Sequence, residues 1–116
     1  LIIDDGSHVN RHVLETFRML FPRLKSGGIY VIEDTQTSYW PNYEGDGCNL
    51  DNPATQMNFY KRLVDGLNYR EFPSDGIQSA TEYDRQITSL HFYHNMVFIY
   101  KGANDEPSNK AKCGVG

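Results

Sequence analysis

Cysteine is scarce in this chain. Two residues, Cys48 and Cys113, stand far apart in a sequence of 116. Neither has metal-ligand spacing, and so small a number excludes a disulfide framework. Reduced thiols, as in a cytoplasmic protein, are the simplest reading. Positive charge is also short: 11 Lys and Arg face 15 Asp and Glu, a formal net charge of -4. That balance leaves no basic footprint for nucleic acid. No apolar run approaches bilayer-crossing length, so no membrane partner is expected. No signal peptide is visible and no internal repeat is found. The chain has no initial methionine and opens inside an apolar run, so we read it as the C-terminal part of a larger domain whose earlier strands are absent.

What is present suits one small domain with an adequate core, 39% apolar. Two apolar runs each end in acidic residues. Leu1-Ile2-Ile3 leads into Asp4-Asp5-Gly6-Ser7-His8, and Ile29-Tyr30-Val31-Ile32 into Glu33-Asp34-Thr35. Both runs read as parallel strands buried on both faces. Between them Val9, Val13, Phe17, Leu20 and Phe21 recur at helical spacing, which predicts a helix from about His8 to Phe21 with Ser7 as its N-cap. Arg11, Glu15 and Arg18 fall on its wet side. Pro22 and Lys25-Ser26-Gly27-Gly28 turn the chain. The long aromatic stretch 35–52 reads as a lid or binding loop. A second helix is expected to open at Asn52-Pro53, with an apolar stripe of Met57, Tyr60, Val64 and Leu67. Residues 69–86 read as irregular. Ile87–Tyr93 and Met96–Lys101 read as a hairpin around His94-Asn95. Gly102 to Gly116 reads as a frayed tail.

Two parallel strands joined by a helical crossover set their carboxyl ends side by side, where open α/β sheets bind ligands. Asp4, Asp5, Glu33, Asp34 and His8 then crowd one edge. Clustered like charges are costly unless a cation joins them. Oxygen ligands favour Mg²⁺, Mn²⁺ or Ca²⁺. Strand alternation keeps Asp4 and Asp5 out of one pocket unless the strand has already ended. A neutral His8 beside the cluster can accept a proton from a hydroxyl held there. His12, His91 and His94 read as surface or turn residues. Tyr39 and Trp40 either cover the core or face a substrate.

The Asp4-Asp5-Gly6-Ser7-His8 run, the stretch from Leu20 to Asp34 ending in Ile32-Glu33-Asp34, and Thr37-Ser38-Tyr39-Trp40-Pro41 together resemble the metal-dependent sugar O-methyltransferases of the macrocin and mycinamicin type. The likeness is strong over roughly the first 45 residues and continues afterwards in element order. It implies the Rossmann-like class I methyltransferase fold, a seven-stranded sheet with an antiparallel last strand, of which this chain would be the C-terminal half, parallel strands plus a terminal antiparallel hairpin. Residues 1–101 would belong to the catalytic domain and 102–116 to a polar tail. It further implies S-adenosylmethionine and Mg²⁺ as cofactors, Asp5, Glu33 and Asp34 as metal ligands, and His8 as general base. Asp4 is left either structural or in contact with the cofactor. The glycine-rich cofactor loop is not in this sequence, so the fragment by itself is expected to be inactive.

The activity implied is methyl transfer to a hydroxyl of a sugar or other polyhydroxylated natural product. A small hydroxylated molecule is the expected partner, with Tyr39 and Trp40 as candidate contacts. The acceptor's identity and the oligomeric state stay open, a homo-oligomer of the full-length protein among the alternatives. Rival readings are another carboxylate-dependent enzyme on an α/β sheet, or a non-catalytic relative that binds a partner through the Tyr39-Trp40 loop. An oxygenase would call for a two-histidine, one-carboxylate set, and only His8 sits at the cluster.

Overall fold

A computed structural model describes residues 1–73, 76 and 79–109. Its elements run β1 (Ile2–Asp4), α1 (Asn10–Leu20), β2 (Ile29–Glu33), α2 (Gln56–Leu67), α3 (Glu82–Gln86), β3 (Ile87–Tyr93) and β4 (Met96–Lys101), with short 3-10 turns between them. The four strands form one sheet in the order β1-β2-β4-β3. β1 and β2 are parallel, with Ile2 opposite Tyr30 and Asp4 opposite Ile32. β4 lies between β2 and β3 and runs antiparallel to both. This mixed sheet bears out the expected α/β class, the crossover and the terminal hairpin. Asn95 turns that hairpin with φ 59, occupying the left-handed conformation usually supplied by glycine.

One face of the sheet carries the core. Val13, Phe17 and Phe21 from α1 and its extension meet Tyr30 and Ile32 of β2, Val97 and Ile99 of β4, and Tyr60 and Leu63 of α2. Phe17 is the hub. Its ring is 4.8 Å from Phe21, 5.0 Å from Tyr30 and 5.3 Å from both Phe59 and Tyr83. Burying one such ring stabilises by about 1.5–3 kcal/mol. Pro22 ends α1 in a 3-10 turn over Phe21–Arg23. The Lys101 ammonium donates to the freed carbonyls of Phe21 and Pro22 at 2.8 and 3.2 Å.

Several expectations are corrected. Among the described residues β1 lies at the end of the sheet, with Ile3 55% exposed, so burial on both faces is seen here for β2 alone. α1 starts at Asn10 rather than near His8. Its N-cap is Val9, and the Ser7 hydroxyl reaches Val9 N–H at 3.4 Å without capping the helix. α2 starts three residues after Pro53, with Thr55 as N-cap accepting from Asn58 N–H. Its buried positions are Gln56, Tyr60, Leu63 and Gly66, while Val64 faces water. The stripe is rotated because Gln56 is drawn inward by hydrogen bonds.

Over its described residues the stretch 69–86 is less irregular than expected, while residues 74, 75, 77 and 78 lie outside the described residues. Thr81 and Asp84 form a reciprocal capping box that starts α3. The expected frayed tail is tied down over its described part. Gly102 N–H donates to Gln86, Asn104 bonds Leu67, Asp84 and Arg85, and Tyr69 OH donates to the Asn104 carbonyl at 2.7 Å. These bonds replace the apolar anchors that the segment lacks. Residues 110–116, including Cys113, lie outside the described residues. No helix among the described residues is long and apolar enough to cross a membrane.

Candidate metal centre

The parallel register sets the end of β1 beside the end of β2. At each end the backbone turns sharply through a left-handed residue that is not glycine. His8 has φ 64 and Asp34 has φ 57. Such residues cost of order 1–3 kcal/mol and concentrate at functional sites. The two turns bring the His8 and Asp34 side chains together. His8 Nε2 stands 3.3 Å from Asp34 Oδ2 and 3.6 Å from Asp5 Oδ1. One ligand atom each from Asp5, His8 and Asp34 lies within 4.8 Å of the others.

This donor set fits a hard divalent cation. An octahedral ion with bonds of about 2.1 Å holds its ligand atoms roughly 3–4.2 Å apart, and Ca²⁺ tolerates wider spacing. A closing movement of a few tenths of an ångström, well within the reach of exposed carboxylates, would suffice for the smaller ion. His8 Nε2 faces both carboxylates, so its position suits ligation as well as proton transfer.

The other predicted site residues lie differently. Glu33 ends β2 half-buried, paired along the backbone with Met96, and is not in the three-residue group. Asp4 is buried, and its Oδ1 accepts from Gly6 N–H at 3.1 Å. Its Oδ2 is without a hydrogen-bond partner among the described residues. Asp4 lies close enough to Tyr30 and Tyr60 in the core to reinforce the effect of burial in raising both phenols above their ordinary range. Asp4 and Asp5 therefore diverge as strand alternation requires, and Asp5 is the one at the site. Tyr39 and Trp40 are exposed, so they do not cover the core. Trp40 lies 6.0 Å from the Tyr43 ring. His12 is exposed and bonds the Ser7 hydroxyl at 2.9 Å.

The stretch after Asp34 is built rather than loose. Two 3-10 turns, Thr35–Tyr39 and Pro41–Tyr43, bury Thr35, Thr37 and Ser38. Asn10 was not singled out in the sequence, yet it anchors this stretch. Its Nδ2 donates to the Thr37 carbonyl at 2.9 Å and to the Tyr43 carbonyl at 3.0 Å. A signal was available: Asn10 lies in phase with Val13, Leu14 and Phe17, and Gln56 in phase with Tyr60 and Leu63. A polar side chain on an apolar stripe must find partners.

Comparison with known proteins agrees with this geometry. No family model matches the chain. It is 50% identical over 104 residues to the 8-demethyl-8-alpha-L-rhamnosyl tetracenomycin-C 2'-O-methyltransferase of Streptomyces olivaceus, covering 90% of this chain and 27% of that protein. It is 46% identical over 106 residues to the demethylmacrocin O-methyltransferase of Streptomyces fradiae, covering 91% of this chain and 27% of that protein. Its structure superimposes with a TM-score of 0.84 and 46% identity on the MycE methyltransferase of the mycinamycin pathway, solved with Mg and SAH, over 90% of this chain and 27% of that one. The chain thus spans about a quarter of the length of the relatives it matches, less than the half that the resemblance implied. Over that C-terminal stretch, in sequence and in fold, the chain closely resembles the sugar O-methyltransferases of the macrocin and mycinamicin type.

Proposed function

We propose that this chain carries the metal-binding and proton-accepting part of an S-adenosylmethionine- and Mg²⁺-dependent O-methyltransferase acting on a sugar hydroxyl of a glycosylated natural product. The observation that supports it most is the convergence of Asp5, His8 and Asp34 at the ends of two parallel strands. The relatives named above supply the reaction class. The same proposal includes a cytoplasmic setting.

Asp5 and Asp34 would hold the cation, with Glu33, adjacent to Asp34 at the same strand end, as the further ligand. The cation's contribution would be to polarise the acceptor hydroxyl and stabilise its developing negative charge. His8 Nε2 would accept the hydroxyl proton, a role that typically contributes about 10²–10⁴-fold in rate. That Nε2 stands 3.3 Å from Asp34 Oδ2, within reach of a hydroxyl held beside the carboxylate. The left-handed turn at His8 keeps the imidazole at the strand ends instead of along α1. Tyr39 and Trp40, exposed after the 3-10 turn that follows Asp34, would give the acceptor an apolar surface. Among the described residues no glycine-rich turn follows a strand, so they offer no such loop for the methyl donor. Asp4, with its buried unpaired Oδ2, is the one group proposed to face the donor.

The test is a thermal-shift and methyl-transfer assay of the full-length protein with a glycosylated acceptor, with and without Mg²⁺ or Mn²⁺. Metal-dependent stabilisation together with metal-dependent methyl transfer is expected. Absence of both would refute the reading and favour a non-catalytic relative.

A further inference from the structure

A line of buried hydrogen bonds leads from the core to the backbone of Asp34. Tyr60 OH donates to Gln56 Oε1 at 2.7 Å. Gln56 Nε2 donates to Thr37 Oγ1 at 3.0 Å. Thr37 Oγ1 donates in turn to the Asp34 carbonyl at 3.3 Å. Every bond has the same polarity, and Tyr60, Gln56 and Thr37 are each at most 2% exposed. Asn10 braces the same point through the Thr37 carbonyl. At the other end of the residue, Gln36 Nε2 donates to Asp34 Oδ1 at 3.3 Å, while Oδ2 faces His8.

We propose that Thr37 and Gln36 are positioning residues that set the metal affinity of the site by fixing Asp34, Thr37 through its backbone and Gln36 through its carboxylate. Resting on the metal-site reading of Asp34, the inference explains how an unfavourable left-handed backbone is kept. The carbonyl of Asp34 takes both the hydroxyl and, at 3.4 Å, the N–H of Thr37. Those bonds close the 3-10 turn that starts directly after the left-handed Asp34. Gln36 occupies one carboxylate oxygen and so presents the other to the site. Groups that orient metal ligands in this way typically govern affinity by about 10–100-fold. The line also ties the site to α2, because Gln56 and Tyr60 are fully buried side chains of that helix in a close-packed core.

The experiment is a Mn²⁺ titration of the full chain, followed by electron paramagnetic resonance, for wild type, Asp34→Asn, Thr37→Val, Thr37→Ser and Gln36→Ala. Thermal unfolding of each variant is measured alongside. Thr37→Val removes the relay hydroxyl at nearly constant shape, and Thr37→Ser retains it. Gln36→Ala removes a side chain whose hydrogen bond goes to Asp34, and the unfolding measurement checks that it folds. The expected result is a Mn²⁺ Kd raised about 10-fold or more in Thr37→Val and Gln36→Ala, with Thr37→Ser near wild type. Wild-type affinity in Thr37→Val and Gln36→Ala, with loss in Asp34→Asn, would overturn the positioning roles and leave the metal site standing. Should Thr37→Val fail to fold, unchanged affinity in Gln36→Ala would overturn the proposal as stated. No Mn²⁺ bound by wild type would overturn the metal-site reading and this inference with it.

Discussion

The backbone N–H of Gln56 donates a 2.7 Å bond to Oδ1 of Asn10, so a side chain from α1 satisfies the first turn of α2. That N–H is one of the four a helix start leaves unpaired. Through its other end Asn10 holds the carbonyls of Thr37 and Tyr43. One fully buried amide thus joins both helices to the stretch that follows Asp34.

Asn10→Ala should therefore be among the costly single substitutions. It strands the buried Gln56 N–H and the part-buried Tyr43 carbonyl, each worth about 1–3 kcal/mol, while the Thr37 carbonyl keeps the Trp40 N–H. A loss of at least about 2 kcal/mol is expected in urea unfolding. A change within about 0.5 kcal/mol, typical of an ordinary surface site, would contradict the anchoring role.

Tyr30 and Tyr60 are both fully buried, but their hydroxyls differ. Tyr30 OH has no hydrogen-bond partner among the described residues, whereas Tyr60 OH donates to Gln56. Tyr60→Phe should cost about 1–3 kcal/mol because Gln56 Oε1 loses its donor. Tyr30→Phe should be near neutral. Equal losses in the two variants would refute this difference.

The same two phenols make the fold sensitive to alkali. Burial, aided by the Asp4 charge, raises both above the ordinary phenol value. Unfolded tyrosines ionise near pH 10 and these do not. The stability they contribute is intact below about pH 10 and declines as pH rises toward the folded values. Unfolding free energy measured from pH 8 upward should fall in wild type and fall less steeply in Tyr30→Phe. Parallel curves would exclude the linkage.

His8 can be separated from the ligands by its two readouts. His8→Ala should lower turnover of the full-length enzyme by about 10²–10⁴-fold with Mn²⁺ affinity nearly unchanged. Asp5→Asn and Glu33→Gln should each raise the metal concentration needed for activity. A large affinity loss in His8→Ala would make it a ligand. An unchanged metal requirement in Glu33→Gln would remove Glu33 from the set.

Gly66 and Asp84 are coupled by contact. A methyl group on Gly66 would overlap the Asp84 carboxylate, which closes the capping box of α3. Gly66→Ala should destabilise by about 1–3 kcal/mol, as overpacking does. Asp84→Ala loses a cap worth about 1 kcal/mol, and the double variant should lose less than the sum. Strict additivity would show that the two side chains do not meet.

Local pattern alone was enough for a good part of this protein. The continuous apolar run of β2, the helical spacing of Val13 and Phe17, and the hairpin around Asn95 are set by near neighbours in the chain. So is the placing of Asp5 and Asp34 at one edge, since a right-handed crossover leaves two parallel strands little choice. Tertiary packing decided what depends on distant partners. It rotated α2 so that Gln56 faces inward and Val64 outward, because buried amides must be paired before an extra valine is covered. It opened a left-handed turn at His8 and Asp34, a conformation that sequence-local preference disfavours and that the bonds from Thr37 help to hold. It sent Asp4 into the core and Asp5 to the edge, since a strand that ends between two adjacent carboxylates frees only the second.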